Sequence, residues 1–499
     1  MRRGAAPAPR KLARFVPFFC PGRCRTGVTI CFFSAQYLPT VGGVERYTWN
    51  LARRLAAAGH RAIVATSALP GLPAREESAE GILIFRLPAL RLMGGRFPVV
   101  WPLGRGFGRL AAGLWAERPD FCLIQTRFYP LSLWAARQAR RRGVPSIVVD
   151  HSTGHMPMGS LLLNRLAALY EHAACAFLHR QGPAFYGVSE AVCGWLRHFG
   201  LAPAGALYNA VDPAEIGRVI EEKAAPGGAP DAAGAPQPPA GRPQNAAAPQ
   251  NAGAPQSPAG GQQNAGTPQN AAAPQNADAP LNPDAPQALP GTPSRSPAGW
   301  RQRLGLAPGQ KLIVFAGRLI PEKGVGELIE AFRLLPAGTA LLAVAGDGPM
   351  LPALKSSCPA GVRLLGSLPH EETLRLMAAA DLFCLPTRYA EGFPTTLLEA
   401  AGCGCAILCT DTAGAAELLP DETYGMRLQS AAPDLLAPAL QKALAADAWR
   451  AGAAQKARAR LRERFAWDAV TARLLQIAAA ARPAAQPGTQ NNDPQEDAG

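Results

Sequence analysis

The chain has 499 residues, of which 48% are hydrophobic and 17% are charged, and its formal net charge is +14. This length exceeds that of one ordinary domain and predicts two domains with additional segments. Its uninterrupted apolar runs are all shorter than the roughly 20 residues that span a bilayer, which argues against a transmembrane helix. We therefore expect a cytoplasmic protein, either soluble or peripheral on the inner face of the cytoplasmic membrane.

The positive charge is concentrated in the first half of the chain. Residues 1–223 carry 28 Lys and Arg against 13 Asp and Glu, whereas the remainder carries 22 against 23. Its densest cluster is Arg137, Arg140, Arg141 and Arg142 on an apparent helix. This concentration of positive charge has four possible explanations: an anionic membrane surface, an anionic acceptor, nucleic acid, or a plain solvated helix face. We do not expect nucleic-acid binding, because no base-reading or stacking residues accompany the charge.

Residues 1–26 are basic, and their apolar patch is too short for a secretory signal and is interrupted by Pro17. We interpret them as an extension. Residues 27–212 then alternate apolar runs with helical segments and predict an N-terminal α/β domain. The expected strands there are Val28–Phe33, Ala62–Ala65, Ile82–Phe85, Phe121–Ile124, Ser146–Val149 and Phe185–Val188.

Residues 213–299 form a predicted disordered linker between the domains. Most of this segment is low-complexity, with Ala-Pro-Gln-Asn-Ala at Ala273–Ala277, and it lacks aromatic residues. Such a composition buries too little apolar surface to offset the entropy of ordering.

Residues 300–465 predict a second α/β domain with the same alternation of strands and helices. Its expected strands are Leu312–Ala316, Leu341–Ala345, Val362–Leu365, Leu382–Leu385 and Ala406–Cys409. A terminal helix follows over residues 466–482, and residues 483–499 form a polar, disordered tail. Near-continuous apolar strands separated by helices are typical of parallel sheets covered on both faces.

Eleven cysteines are present, and no pair of CxxC motifs at zinc spacing occurs among them. Most lie inside apolar segments, as Cys31 and Cys384 do. This usage favours small core residues in a reducing compartment over a disulfide framework.

Two loops of the first half are candidates for ligand contact. Gly42 and Gly43 open a helix predicted from Val44 to Ala58, so its free N–H groups could face an anion. His151 ends the strand at residues 146–149 and could orient or deprotonate a ligand, with His155 as a weaker candidate. A plain strand-to-helix turn and a structural histidine are the alternatives.

In the second half, Gly317 and Arg318 follow a predicted strand, and Lys323 precedes the next helix. Arg and Lys together at a strand end suit a diphosphate, since each charge-assisted hydrogen bond contributes roughly 1.5–3 kcal/mol. The competing explanation is a surface ion pair with Glu322.

The segment with the strongest signal runs from Glu391 to Glu399 after the strand at 382–385. Pro394 is suited to a first helical turn, where its missing N–H costs little, and the N–H groups of Thr395 and its neighbour could face a phosphate. The two carboxylates could grip hydroxyl groups at opposite ends of one ligand. The sequence has no Asp-x-Asp, the motif with which metal-dependent sugar transferases hold a divalent ion.

Taken together, these motifs resemble the retaining glycosyltransferase family 4, which has the GT-B fold. The first half offers Gly42–Tyr47, Val149–Ser152, Gly187–Val192 and Tyr208–Asp212, and the second half offers Gly317–Gly324, Val362–Gly366 and Glu391–Glu399. The resemblance covers roughly residues 28–212 and 300–480. It implies two doubly wound Rossmann-like α/β domains facing a cleft, with the disordered insertion between them.

The resemblance also implies roles for these residues. A nucleotide-diphosphate sugar would bind the C-terminal domain, a glycan or lipid-linked acceptor the N-terminal one, and no metal or other cofactor is expected. Arg318, Lys323, Glu391 and His151 would act in catalysis, with His151 near the donor sugar and Glu399 on the ribose. Further donor contacts would come from Gly42, Gly43, Gly317, Leu365, Gly392, Phe393, Pro394 and Thr395.

This sequence departs from the family's common pattern at Ala210, Pro394 and Cys405, and by its long linker. None of these departures removes a charged candidate. The expected activity is a metal-independent, retaining sugar transfer in cell-envelope glycan or glycolipid synthesis. A sugar-nucleotide epimerase on the same fold and a non-catalytic scaffold that binds nucleotide sugars are the alternatives.

Overall fold

The computed structural model of the chain describes residues 27–40, 42–95, 97–102, 104–156, 160–221, 296–388 and 392–481. The expected N-terminal extension, most of the expected linker, the tail and Glu391 lie outside these residues. No helix in the described ranges is both long and apolar enough to cross a bilayer.

The first region builds one large sheet and a small hairpin. Its strands are β1 (Thr29–Phe33), β2 (Arg61–Ser67), β3 (Arg75–Glu77), β4 (Leu83–Leu87), β5 (Ala89–Leu92), β6 (Phe97–Val100), β7 (Phe121–Gln125), β8 (Ser146–Asp150), β9 (Ala184–Gly187) and β10 (Pro203–Ala206). Its helices are α1 (Gly43–Ala57), α2 (Arg105–Ala116), α3 (Pro130–Arg141), α4 (Leu161–Gln181), α5 (Glu190–His198) and α6 (Pro213–Glu221), with a 3-10 turn at Met93–Gly95.

The large sheet has the order β10-β9-β8-β7-β1-β2-β4-β3, and all its strands are parallel except β3. Strands β1, β4 and β7 are buried along their whole length, because helices cover both faces of the sheet. The hairpin pairs β5 with β6 in antiparallel register beside this sheet. The order in which successive strands are added to the sheet reverses between β1 and β7, which places the carboxyl ends of these two parallel strands at a crevice.

The second region builds a smaller, fully parallel sheet. Its strands are β11 (Lys311–Ala316), β12 (Ala340–Ala345), β13 (Val362–Gly366), β14 (Leu382–Leu385), β15 (Ala406–Thr410) and β16 (Met426–Leu428). Its helices are α7 (Pro297–Arg303), α8 (Val325–Arg333), α9 (Leu351–Ser357), α10 (His370–Ala379), α11 (Thr395–Cys403), α12 (Ala415–Leu418), α13 (Pro433–Ala445), α14 (Asp447–Arg464) and α15 (Trp467–Ala480), with a 3-10 turn at Pro321–Lys323.

The order of the second sheet is β13-β12-β11-β14-β15-β16, the doubly wound order of nucleotide-binding domains. Its topological switch point lies between β11 and β14, where ligands bind outside the carboxyl ends of the strands. The predicted parallel α/β architecture with two such sheets is confirmed.

Two chain segments cross between the regions side by side. The N–H of Val211 donates to the carbonyl of Phe465, and the N–H of Trp467 donates back to the carbonyl of Val211. Beyond this crossing, α15 packs into the core of the first region, where Val470 and Leu474 are buried. In the other direction, α6 packs on α10 and α11, so each region is joined by a helix that the chain order assigns to the other region.

The described ends of the expected linker are helical. Residues 213–221 form α6, whose Ile216 side chain is buried against the second region, and α7 begins at Pro297. Asp212 caps α6, because its Oδ1 accepts from the N–H groups of Ala214 and Glu215 at 3.0 and 3.1 Å. The sequence did not predict α6, because it has few apolar residues and is followed directly by the low-complexity segment.

Candidate active site

The loops that follow β11, β12 and β13 meet at the carboxyl edge of the second sheet. Gly317 donates its N–H to the carbonyl of Ala345 at 3.0 Å, and Gly346 donates to the carbonyl of Gly366 at 2.7 Å. Arg318 follows Gly317 directly, and Leu365 is the penultimate residue of β13. The fold therefore brings Gly317, Arg318 and Leu365 to one edge.

Lys323 lies in a tight turn that packs against the end of β14. Gly324, the next residue, has φ +72°, and a Cβ there would lie 2.0 Å from the carbonyl oxygen of Pro386. Only glycine permits this conformation and this approach. The turn is tied down further, because the N–H of Arg388 donates to the carbonyl of Glu322 at 2.7 Å. Lys323 is thus held beside the switch point between β11 and β14.

The segment after residue 391 leads from the edge of the sheet into α11. Phe393 is buried, and Pro394 is the residue immediately before the helix. The prediction that Pro394 lies inside the first helical turn is therefore wrong by one residue. Thr395 is the first helical residue, and first-turn N–H groups have no partner within their own helix. Glu399 lies just over one turn into α11 and is half-buried.

Residues of the two regions touch across this edge. A Cβ at Gly392 would lie 2.3 Å from the backbone oxygen of His151. Asn209 donates from Nδ2 to the carbonyl of Phe393 at 3.3 Å, and the N–H of Glu190 donates to Oε1 of Glu417 at 3.0 Å. The structure therefore brings His151 next to Gly392 across the cleft, although they are far apart in the sequence.

His151 is neutral and is held in one orientation. Its Nε2 lies 2.7 Å from the side-chain amide of Gln125, which fixes the orientation of the ring. The ring of Tyr47 stands edge-on to the imidazole with centroids 5.0 Å apart. Burial lowers the pKa of His151 to about 3. A group with so low a pKa is a poor general base at neutral pH, so the site favours the orienting role over deprotonation.

The start of α1 lies on the first-region side of the same site, since Tyr47 is one turn into this helix. Gly42 precedes the helix in an extended conformation and Gly43 is its first residue. A Cβ at Gly42 would lie 2.3 Å from Oε2 of Glu45, so the glycine leaves room for that side chain. Burial raises the pKa of Glu45. An anion at this helix end would therefore lie near the carboxyl group of Glu45, which was not among the residues predicted from the sequence.

A buried ion network behind His151 was also missed. Arg127, fully buried, pairs with Asp150 and, at 2.7 Å, with Oε2 of Glu171. It also donates to Oγ of Ser152 at 2.6 Å. Breaking such a buried pair leaves an uncompensated charge and is strongly destabilising. The network fixes the end of β8 and with it the backbone of His151. The signal in the sequence was an Arg two residues after a buried strand.

The low pKa of His151 predicts a pH dependence of stability. The ordinary histidine pKa is 6.5, so between pH 6.5 and 3 the unfolded chain binds a proton here that the folded chain does not. The stability that neutral His151 gives the folded state is fully present above pH 6.5 and is lost as the pH falls below that value. The difference in free energy of unfolding between wild type and His151→Gln should therefore shrink by about 2 kcal/mol from pH 7 to pH 5. Urea titrations at both pH values measure it, and a pH-independent difference would contradict the buried neutral form.

Comparisons with known proteins identify a family for each of the two regions. The profile of the family described as "Glycosyl transferases group 1" matches residues 298–464, and that of "Glycosyltransferase Family 4" matches residues 41–215. The two matches cover the two regions on either side of the cleft.

Among curated proteins, the chain is similar to TuaC of Bacillus subtilis, a glycosyltransferase named for teichuronic acid biosynthesis. The two are 40% identical over 118 residues, which cover 24% of this chain and 29% of TuaC. A GDP-mannose-dependent monoacylated alpha-(1-6)-phosphatidylinositol monomannoside mannosyltransferase of Corynebacterium glutamicum is 29% identical over 199 residues, 38% of this chain and 52% of the relative. The chain thus spans about half or less of the length of these relatives.

Among solved structures, that of Anabaena Alr3699/HepE in complex with UDP superimposes with a TM-score of 0.58 at 16% identity. The alignment covers 91% of this chain and 100% of that one. This similarity concerns the fold, which is GT-B: two Rossmann-like domains on either side of a cleft. With both halves matched by the family profiles, the chain belongs to the group 1 glycosyltransferases of family 4.

Proposed function

We propose that the chain is a metal-independent, retaining glycosyltransferase that moves a sugar from a nucleotide-diphosphate sugar to an acceptor hydroxyl group. The observation that carries this proposal is the meeting of three loops at one switch point. The Gly317–Arg318 turn and the Lys323 turn lie at the carboxyl edge of the second sheet, and the Gly392 segment faces His151 there.

The leaving group in such a transfer is a nucleoside diphosphate, whose negative charge grows as the bond to the sugar breaks. Arg318 and Lys323 lie where two fixed cations can stabilise that charge, and the first-turn N–H groups of α11 add amide dipoles. The sequence has no Asp-x-Asp with which to hold a divalent ion at the diphosphate. Protein cations and dipoles would therefore perform the task of a metal.

Retention follows from the face of the sugar on which the new bond forms. The acceptor oxygen forms its bond to the anomeric carbon on the face from which the diphosphate departs, and its proton passes to a phosphate oxygen of that leaving group. His151 is buried and neutral, with Nε2 held by Gln125, and so serves to orient the donor rather than to take up a proton. Glu391 and Glu399 would hold hydroxyl groups of the donor sugar and of the ribose.

The substrate classes are drawn from the relatives. One is named as dependent on GDP-mannose, one is named for teichuronic acid, and one solved structure holds UDP. We therefore expect a purine or pyrimidine nucleoside diphosphate sugar as donor, and a glycan or lipid-linked acceptor in the cell envelope.

The proposal is tested by incubating the chain with UDP-, GDP- and ADP-sugars, with and without candidate lipid-linked acceptors. Transfer should appear as a product whose anomeric configuration, read from NMR coupling constants, equals that of the donor. An inverted product would contradict retention. Release of an epimerised nucleotide sugar without acceptor would instead identify an epimerase.

The acceptor side carries features that fit a membrane surface. Five leucines in the first half of α4 are solvent-exposed: Leu161, Leu162, Leu163, Leu166 and Leu169. The neighbouring hairpin exposes Leu90, Leu92 and Met93, and Phe97 of that hairpin contacts Tyr170 of α4 with ring centroids 6.2 Å apart. Exposed arginines occur on both elements, Arg91 in the hairpin and Arg165 in α4, and two more, Arg105 and Arg109, lie at the start of α2, which follows the hairpin in the chain. Exposed apolar residues among cations favour binding to an anionic bilayer.

We expect the double variant Leu162→Gln, Leu166→Gln to bind vesicles containing phosphatidylglycerol at least about tenfold more weakly, because burying one leucine contributes about 1.5–3 kcal/mol. Co-sedimentation measures the change. Leu435→Gln is the control, since it removes an exposed leucine of the second domain. Equal binding by all three proteins would place the membrane contact elsewhere.

A further inference from the structure

Three histidine side chains converge on the surface of the first domain. His155 lies in the loop after β8, His172 in the middle of α4, and His198 is the last residue of α5. One nitrogen from each lies within 4.8 Å of the others, and the sequence contains seven histidines in all. Within the described residues this is the one group of three metal-binding side chains so arranged.

A buried carboxylate fixes the first of these imidazoles. The Nδ1 of His155 lies 3.1 Å from Oε2 of Glu171, and because a carboxylate only accepts, Nδ1 carries the proton. Glu171 is fully buried and is itself held by the N–H of Met156 at 2.7 Å and by Arg127. The lone pair of Nε2 is left for a ligand. Histidines that bind metals are oriented in this way by carboxylates.

We infer that His155, His172 and His198 bind a divalent transition-metal ion of the zinc class. Imidazole nitrogens suit Zn²⁺, Co²⁺, Ni²⁺ and Cu²⁺, whereas Mg²⁺ and Ca²⁺ require oxygen ligands. Tetrahedral zinc with bonds of about 2.05 Å separates its ligand nitrogens by roughly 3.3 Å. Small rotations of the exposed His172 and His198 rings close the remaining distance, and water completes the coordination.

Aromatic packing is the competing explanation for this cluster. The indole of Trp195 stacks on His198 with centroids 4.6 Å apart and an interplanar angle of 6°, and the ring of Phe199 lies 4.7 Å from His172. This packing orients two imidazoles but does not account for the anchoring of His155 by a buried carboxylate. The two explanations differ in whether a metal binds.

The three histidines are not among the residues proposed for sugar transfer, but contacts connect them to that site. From His155 the contacts run through Glu171 and Arg127 to Asp150, the residue that precedes His151. A bound ion would join the loop after β8 to α4 and α5. We therefore assign it a role in fixing this part of the first domain, with no step in the chemistry.

The test uses the full chain without a polyhistidine tag, stripped with a chelator that is then removed by dialysis. Co²⁺ is followed by its visible absorption and Zn²⁺ by calorimetry. Wild type should bind one equivalent of either ion, and Zn²⁺ should raise the melting temperature. His172→Ala and His198→Ala should each weaken binding on the order of 100-fold or more, since each removes a direct ligand. His172→Gln and His198→Gln keep a polar side chain if an alanine variant unfolds.

His179→Ala is the matched control, because His179 is exposed on the same helix two turns beyond His172. It should bind as wild type does. The site would be overturned if wild type showed no saturable binding, or if the His172 and His198 variants bound the ion as tightly as wild type. A cobalt spectrum with an intense thiolate charge-transfer band would do the same, since it would place the ion on cysteine.

Discussion

Replacing Arg318 or Lys323 by alanine should lower turnover by about 100- to 1000-fold in each variant. Losing one preorganised group that stabilises developing charge typically costs this much, because its stabilisation is greatest in the transition state. Both residues follow β11 at the switch point, and the Lys323 turn is fixed against Pro386 and Arg388. Neither substitution removes a buried core side chain, so both variants should fold.

Lys355→Ala is the control for this pair, because Lys355 is an exposed cation on α9 of the same domain. It should retain wild-type turnover. Arg318→Lys should be intermediate, since it keeps the charge but loses the forked geometry that matches a phosphate. Wild-type turnover in both alanine variants would remove these two residues from the site.

Gly392→Ala should reduce turnover about 100-fold while nucleotide binding to the second domain persists. A Cβ there would lie 2.3 Å from the backbone oxygen of His151, which no real contact allows. The two domains would have to separate slightly, and a displacement of about 1 Å between reacting groups costs on the order of 100-fold. Turnover and calorimetric binding of nucleoside diphosphates are measured on the same preparation. Together they distinguish a loss of domain contact from a loss of nucleotide binding.

Gly452→Ala is the matched control for this substitution. Gly452 lies in α14, and a Cβ there would meet nothing within 4 Å. If Gly392→Ala turned over as fast as this control, the contact between Gly392 and His151 would have no part in the active arrangement.

The main strands of both sheets could be predicted from the sequence, because each is a short, nearly continuous apolar run. The missed strands lack that signal: β10 reads Pro-Ala-Gly-Ala, β16 has three residues, and β5 is mostly exposed. Such edge and hairpin strands are stabilised by their neighbours rather than by their own composition. The prediction was therefore accurate where burial is highest.

The candidate site was predictable in its parts but not in its assembly. Arg318, Lys323 and the Gly392 segment follow apolar strands, and the carboxyl ends of parallel strands share an edge. The hydrogen bond from Asn209 to Phe393 joins residues 184 positions apart, and nothing in local sequence indicates it. Glu45 and Arg127 were overlooked because one charged residue in a helix or after a strand usually faces solvent. The donor-binding roles, including that of Glu391, stay predictions.

The central claim is that fixed cations and amide dipoles, rather than a metal ion, hold the diphosphate. Calorimetric titration of UDP, GDP and ADP into the full chain in excess EDTA tests it most directly. We predict that at least one of them binds in EDTA with unchanged affinity after Mg²⁺ or Mn²⁺ replaces the chelator, and much more weakly to the Arg318→Ala, Lys323→Ala double variant. Binding that appears only with the divalent ion, or that the double variant retains, would contradict the claim.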